Sequence, residues 1–146
     1  MLKFKIPGKP VAKGRPRFVR KTGRAVTPKK TADYEKFVAL CARMAMVERG
    51  ILAPLEGPVA LRLVVLHPRP KRVGRAHVLH GCAQRAFCAG GGSIPDLSNV
   101  VKALEDGLQG VVFQNDSQVV YLESSKCYAA DGEEAGVEVE VWRVET

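Results

Sequence analysis

Residues Pro95 to Gln118 read PDLSNVVKALEDGLQGVVFQNDSQ, and within them a helical period gives way to a strand-like one. Leu97, Val101, Leu104 and Leu108 recur at spacings of three and four, which places them on one helical face. Ser98, Lys102 and Asp106 follow at spacings of four on another face, so the polar residues form a row. Pro95, Asp96 and Ser98 supply helix-start chemistry and Gly110 a stop, while Gly107 costs roughly 1 kcal/mol inside the last turns. The spacing predicts a helix from about Ser98 to Gln109. Beyond it, Val111 to Phe113 reads as a short strand, Gln114 to Ser117 as a tight turn, and Val119 to Leu122 as the next strand. Asp116 then stands at a strand mouth, within reach of Asp96 at the helix start.

Working outward, Leu2 to Ile6 alternates as a strand, and a loop-like segment with Gly8, Pro10, Gly14 and Pro16 runs to about Lys30. Thr27 or Thr31 opens a helix over about Ala32 to Arg49, with Phe37, Leu40, Cys41, Met44 and Val47 on a shared face and Gly50 as its end. Val59 to Leu66 is apolar on both alternations apart from Arg62, as expected of a buried central strand. His67 to Gly92 combines prolines, five bases and a Gly90-Gly91-Gly92 run, which predicts a flexible basic loop over 67–94 with one helical turn near Ala83 to Phe87. Val119 to Tyr128 and Val137 to Val144 are strands joined by an acidic turn-rich loop, expected to form a hairpin. The order strand, helix, strand, helix, strand, strand implies α+β: a single domain over 1–146 with a mixed β-sheet and two main helices packed on it. At 146 residues and 46% hydrophobic content the chain suits one core. No run approaches the roughly 20 apolar residues of a membrane span, and the expectation is a soluble, cytoplasmic protein. Cys41, Cys82, Cys88 and Cys127 show no disulfide framework and are expected to be free thiols. His77, His80, Cys82 and Cys88 are ligand types for zinc, but their spacing is not one of the common ones.

Charge is unevenly placed. The net charge is +8. Residues 1 to 30 hold eleven Lys and Arg and no acid, whereas residues 31 to 146 hold the other twelve bases against all fifteen acids. An excess confined to one segment is an electrostatic footprint for a polyanion. Lys9, Lys13, Arg15, Arg17, Arg20, Lys21, Arg24, Lys29 and Lys30, within a basic loop over 7–30, are the candidate phosphate contacts. Phe18, between Arg17 and Arg20, is either a platform for an exposed base or a core anchor.

The chemistry of residues 95 to 118 admits two readings. Asp96 and Asp116 converging at the helix start would hold a hard cation such as Mg²⁺, which takes oxygen ligands and keeps several waters, and Lys102 would face negative charge building on a phosphate. Alternatively Asp96 and Ser98 only cap the helix, Asp116 only serves the turn, and Lys102 is solvated.

The segment resembles the RusA family of Holliday junction resolvases, whose pattern is Asp-x-Asp-Asn-x-x-Lys, an Asp four residues after that Lys, and later Asp-Asp-x-Gln. The corresponding residues are Asp96, Ser98, Asn99, Lys102, Asp106, then Asn115, Asp116 and Gln118. The run Pro7 to Phe18 and Thr27-Pro28-Lys29-Lys30 are also similar to that family, so the resemblance spans most of the chain. It departs at Ser98, where the family has a second metal-binding Asp, and at Asn115, the first residue of the late pair. The resemblance implies a Mg²⁺-dependent endonuclease, with Mn²⁺ as a substitute ion, that resolves four-way junctions as a homodimer without a small-molecule cofactor. Catalytic residues would be Asp96, Lys102 and Asp116, and metal ligands Asp96, Asp116 and Ser98. At Ser98, either a hydroxyl or water completes the shell, Glu105 or Asp106 swings in, or the protein binds junctions without efficient cleavage.

Overall fold

The computed structural model describes residues 1–70, 85–88 and 94–145. Among the described residues the strands and α-helices are β1 (Leu2–Pro7), β2 (Arg17–Val19), β3 (Arg24–Val26), α1 (Lys29–Glu48), β4 (Val59–His67), β5 (Ala86–Phe87), α2 (Leu97–Leu108), β6 (Val119–Tyr128) and β7 (Gly136–Arg143), with a 3₁₀ turn over Asp116–Gln118 ahead of β6. Five strands make one sheet in the order β1-β7-β4-β6-β5, and β2 and β3 form a separate two-stranded ribbon. β4 is central as its composition implies, parallel to β6 and antiparallel to β7. The class is α+β, with the two long helices joined to a mixed sheet.

The expected terminal hairpin does not form. β4 lies between β6 and β7, and the connection from Ala129 to Ala135 steps across its end. β4 is apolar on both faces and gains by pairing along both edges. A parallel β4–β6 pair needs a long crossover, and the chain that includes α2 supplies it.

One core joins the helices to the sheet. α1 contributes Tyr34, Val38, Ala42, Ala45 and Met46, α2 contributes Val100, Ala103, Leu104 and Leu108, and the strands contribute Leu61, Leu63, Val65, Val137, Val139 and Val141. The opposite sheet face carries Arg62, which bonds Glu140 at 3.2 Å, pairs with Glu123 at 3.1 Å and lies 5.8 Å from the Trp142 ring centroid.

Local details depart from the sequence expectations in four places. The inward face of α1 is Thr31, Tyr34, Val38, Ala42, Ala45 and Met46, not the row of Phe37, Leu40, Met44 and Val47, which is exposed. α1 is apolar around much of its circumference, and its smaller residues turn inward where α2 crosses closely. Val111 to Phe113 is a buried turn, not a strand: the Gly110 N–H donates to Phe113 O at 2.7 Å, and Leu55 N–H to Val112 O at 2.7 Å. The N-terminal basic segment is not one continuous loop, because β2 and β3 pair within it around a turn at Gly23, whose φ is 64°. Within 67–94, His67 closes β4, and Ala86–Phe87 pairs antiparallel with β6 instead of forming a helical turn. His77, His80, Cys82, Ala83 and Gly90 to Gly92 lie outside the described residues. Among the described residues Cys41, Cys88 and Cys127 are free thiols, and no helix is long and apolar enough to cross a membrane.

Candidate active site

Three chain segments meet at the polar edge of α2. Asp96 is its N-cap, with extended backbone (φ −62°, ψ 136°), and its carbonyl accepts from the N–H groups of Asn99 and Val100 at 3.1 and 3.2 Å. Its carboxylate makes no capping hydrogen bond, and the side chain is exposed. The reading in which Asp96 only caps the helix therefore lacks its hydrogen bond. Ser98 is exposed on the first turn.

The second segment is the turn ahead of β6. Asn115 and Gln118 close a capping box there: Asn115 Oδ1 accepts from the Ser117 N–H at 3.1 Å, and Gln118 Oε1 accepts from the N–H groups of Gln114 and Asn115 at 2.8 and 3.0 Å. Gln118 Nε2 donates onward to Leu55 O and Gly57 O, each at 2.9 Å. Both residues are thus held in structural bonds. Asn and Asp serve almost equally as caps, so Asn115 fills its place in the turn as an aspartate would. The Asn-x-x-Gln spacing was the sequence signal for this box.

Asp116 projects from that turn with its side chain about half exposed, and Lys102 reaches it: Lys102 Nζ is 3.6 Å from Asp116 Oδ2 and 3.6 Å from Asp106 Oδ1. The helix row read from the sequence therefore meets the turn. Glu105 joins the same electrostatic neighbourhood. Burial pushes its carboxyl up, Lys102 pulls it back, and the charges of Asp116 and Asp106 raise it further.

The third segment is basic. The Lys13 N–H donates to Asn99 O at 2.9 Å, and its ammonium pairs with Asp106 and, at 3.4 Å, with Glu35. The hydrogen bond to Asp106 is the main reason the Lys13 pKa rises. Asp106 is therefore held by two lysines, whereas Glu105 is a half-buried carboxylate beside Asp116. The Gly14 N–H donates to Thr31 Oγ1 at 2.9 Å, and a Cβ at Gly14 would meet Pro28 Cγ at 2.8 Å. These contacts fasten the arm to α1 and α2, while Lys9, Arg15, Arg17, Arg20, Lys21, Arg24, Lys29 and Lys30 remain exposed. Lys13 differs from them in being engaged internally. Phe18 is 69% exposed on β2, so it is not a core anchor.

No group of three His, Cys, Asp or Glu side chains placed to hold a metal occurs among the described residues. Asp96, Asp116 and Ser98, were they to share an ion, would offer it oxygen donors only, the kind that Mg²⁺ takes beside water and phosphate oxygens. They do not suit zinc, which favours nitrogen and sulfur.

Residues 7–142 match the family model described as Endodeoxyribonuclease RusA. The chain belongs to the RusA family. A similar protein is YqaN of Bacillus subtilis (strain 168), 34% identical over 145 residues, covering 98% of this chain and 96% of that one, and named only as uncharacterized. The RusA match includes the basic arm, both helices and nearly all of β7, so the polar edge of α2 and the arm fastened to it lie within the family's unit.

Proposed function

We propose that this chain is a metal-dependent endodeoxyribonuclease that resolves four-way DNA junctions by paired phosphodiester hydrolysis, acting as a homodimer. The observation that carries the reading is Lys102 standing between Asp106 and Asp116 at the edge of α2, within a chain of an endodeoxyribonuclease family. Asp96, Asp116 and Ser98 would hold a divalent cation, Mg²⁺ or Mn²⁺, which when bound supplies an acidified water and charge for the leaving oxygen. Lys102, kept at the site by its acidic neighbours, faces the scissile phosphate and offsets charge that grows there. Lys13 sets the arm against α2, and the exposed bases from Lys9 to Lys30 contact phosphates. Such contacts position a backbone without reading sequence, so preference for a junction rests on its shape. Two strands of a junction are cut by two sites related by a two-fold axis, the usual symmetry of a homodimer.

A second reading, a junction-binding protein with weak or lost cleavage, rests on Ser98 in place of a metal-binding aspartate. Cutting of a synthetic four-way junction with and without Mg²⁺, beside Asp96→Asn and Ser98→Asp, separates the two. The nuclease reading expects Mg²⁺-dependent nicks that Asp96→Asn abolishes. Binding without nicks, with cleavage restored in Ser98→Asp, would establish the second reading, and tighter binding to RNA hairpins than to junctions at matched salt would defeat both.

A further inference from the structure

α1 leaves an apolar seam uncovered. Phe37, Leu40, Met44 and Val47 are 38%, 54%, 57% and 70% exposed, and their spacing of three, four and three is that of the a and d positions of a coiled coil. The core-facing residues of this helix are a different set, so the seam is surplus to folding the chain. A groove of about 450 Å³ bounded by Lys3, Phe4, Phe37, Leu40 and Met44 runs along one side. Another of about 320 Å³, lined by Met46, Val47, Ile51 and Leu52, continues past the helix end, where Leu52 is 92% exposed. Contiguous apolar surface of this kind marks an interaction site.

The charges beside the seam indicate what covers it. With Phe37 and Met44 at a and Leu40 and Val47 at d, Lys36 and Arg43 take the g positions and Cys41 and Glu48 the e positions. In a parallel pair each g residue faces the e residue five places on in the other helix. Arg43 then meets Glu48 of the second copy twice over, and Lys36 meets the neutral Cys41. An antiparallel pair sets g against g, so Lys36 would face Arg43. Like charges placed together penalise the wrong arrangement. Arg43, Glu48 and Lys36 are exposed, and none forms an ion pair among the described residues.

We infer that α1 pairs in parallel with α1 of a second copy of this chain, through Phe37, Leu40, Met44 and Val47 and two reciprocal Arg43–Glu48 ion pairs. The inference rests on the two-fold assembly in the proposed function and gives it a surface. Its readouts are mass and cross-linking rather than cleavage, so its failure leaves the nuclease reading to be judged separately.

Sedimentation equilibrium over a concentration series tests it on the full chain, without DNA, for the parent, Leu40→Glu, Arg43→Glu and Arg43→Glu/Glu48→Arg. The parent is expected at twice the chain mass with a melt that rises with protein concentration, and Leu40→Glu at the chain mass, with the parent's far-UV circular dichroism and a melt independent of concentration. Arg43→Glu should weaken the dimer by roughly tenfold, equivalent to about 1.4 kcal/mol, and the double reversal should restore it. With copper-phenanthroline and dissolved oxygen as the oxidant, Leu40→Cys should form a covalently linked dimer that the parent does not, because d faces d in a parallel pair. A monomeric parent, a dimer indifferent to Leu40→Glu, a dimer tightened by Arg43→Glu, or Leu40→Cys that does not cross-link would each overturn the inference.

Discussion

A Cβ placed on Gly107 would sit 2.8 Å from both Cβ and Cγ1 of Val38 and 3.0 Å from Glu35 O, so α2 crosses α1 at a separation that depends on a glycine. Helix propensity alone favours Gly107→Ala by about 1 kcal/mol. Overpacking of a fitted contact costs about 1–3 kcal/mol and outweighs it. The expected result is a net loss of stability in urea melts, with a further loss of nicking as α2 shifts Lys102 away from Asp116. A variant stabilised by the propensity gain would disprove the close crossing.

Lys13 and Arg24 both belong to the basic arm, yet they should behave differently. Lys13 bonds Asn99, Asp106 and Glu35, whereas Arg24 is exposed on the β2–β3 ribbon. Lys13→Met is expected to cost about 1–3 kcal/mol by leaving part-buried acids short of a partner. Arg24→Ala should stay within about 0.5 kcal/mol and instead weaken DNA binding, lowering the salt slope by about 1. Thermal melts and binding titrations at several salt concentrations check both halves.

Phe18 and Ala25 face each other across the ribbon, and Phe18 is 69% exposed among arginines. Removing it should leave stability unchanged. If it stacks on a base unpaired at a junction centre, Phe18→Ala costs about 1–3 kcal/mol of junction binding and little duplex binding, while Phe18→Trp retains the preference. A 2-aminopurine at the branch point reports the stack directly, and an equal loss on duplex would remove the base-stacking role.

The sequence exposed some of these relationships and hid others for physical reasons. The row Ser98, Lys102 and Asp106 was legible because helical spacing alone aligns it, whereas the order of elements pointed Asp116 at Asp96 and the contact on the turn before β6 is with Lys102. The central place of β4 followed from its apolar run. By contrast, size and spacing point the large apolar residues of α1 at the core, but the close crossing at Gly107 admits Val38 there and leaves Phe37 and Met44 outside. Period alone cannot show which of two apolar faces a neighbour will cover. Val111 to Phe113 was ambiguous because a short buried run reads alike as strand or turn. The separation of β6 from β7 depends on the edges of β4, which no local pattern records. The contact of Lys13 with Asp106 joins residues far apart in sequence, and residue type gave no reason to distinguish it from the other bases.

Two groups should shape the acid limb of stability. His67 is 2% exposed, and its Nε2 has no hydrogen-bond partner among the described residues. Burial, then the charges of Lys126 and Lys9, hold its pKa below the ordinary 6.5. The unfolded chain therefore takes up the proton first, so the contribution of neutral His67 is complete above pH 6.5 and is lost as pH falls through the window below it. Glu133 is pulled down to about 2 by the Arg85 guanidinium and the Ala130 N–H. Its contribution is complete above the ordinary 4.5 and is lost as pH falls from there to about 2. Denaturant melts from pH 8 to pH 2 should therefore show two declines. His67→Gln should flatten the upper decline and Glu133→Gln the lower. An upper decline that survives His67→Gln would assign it to another group.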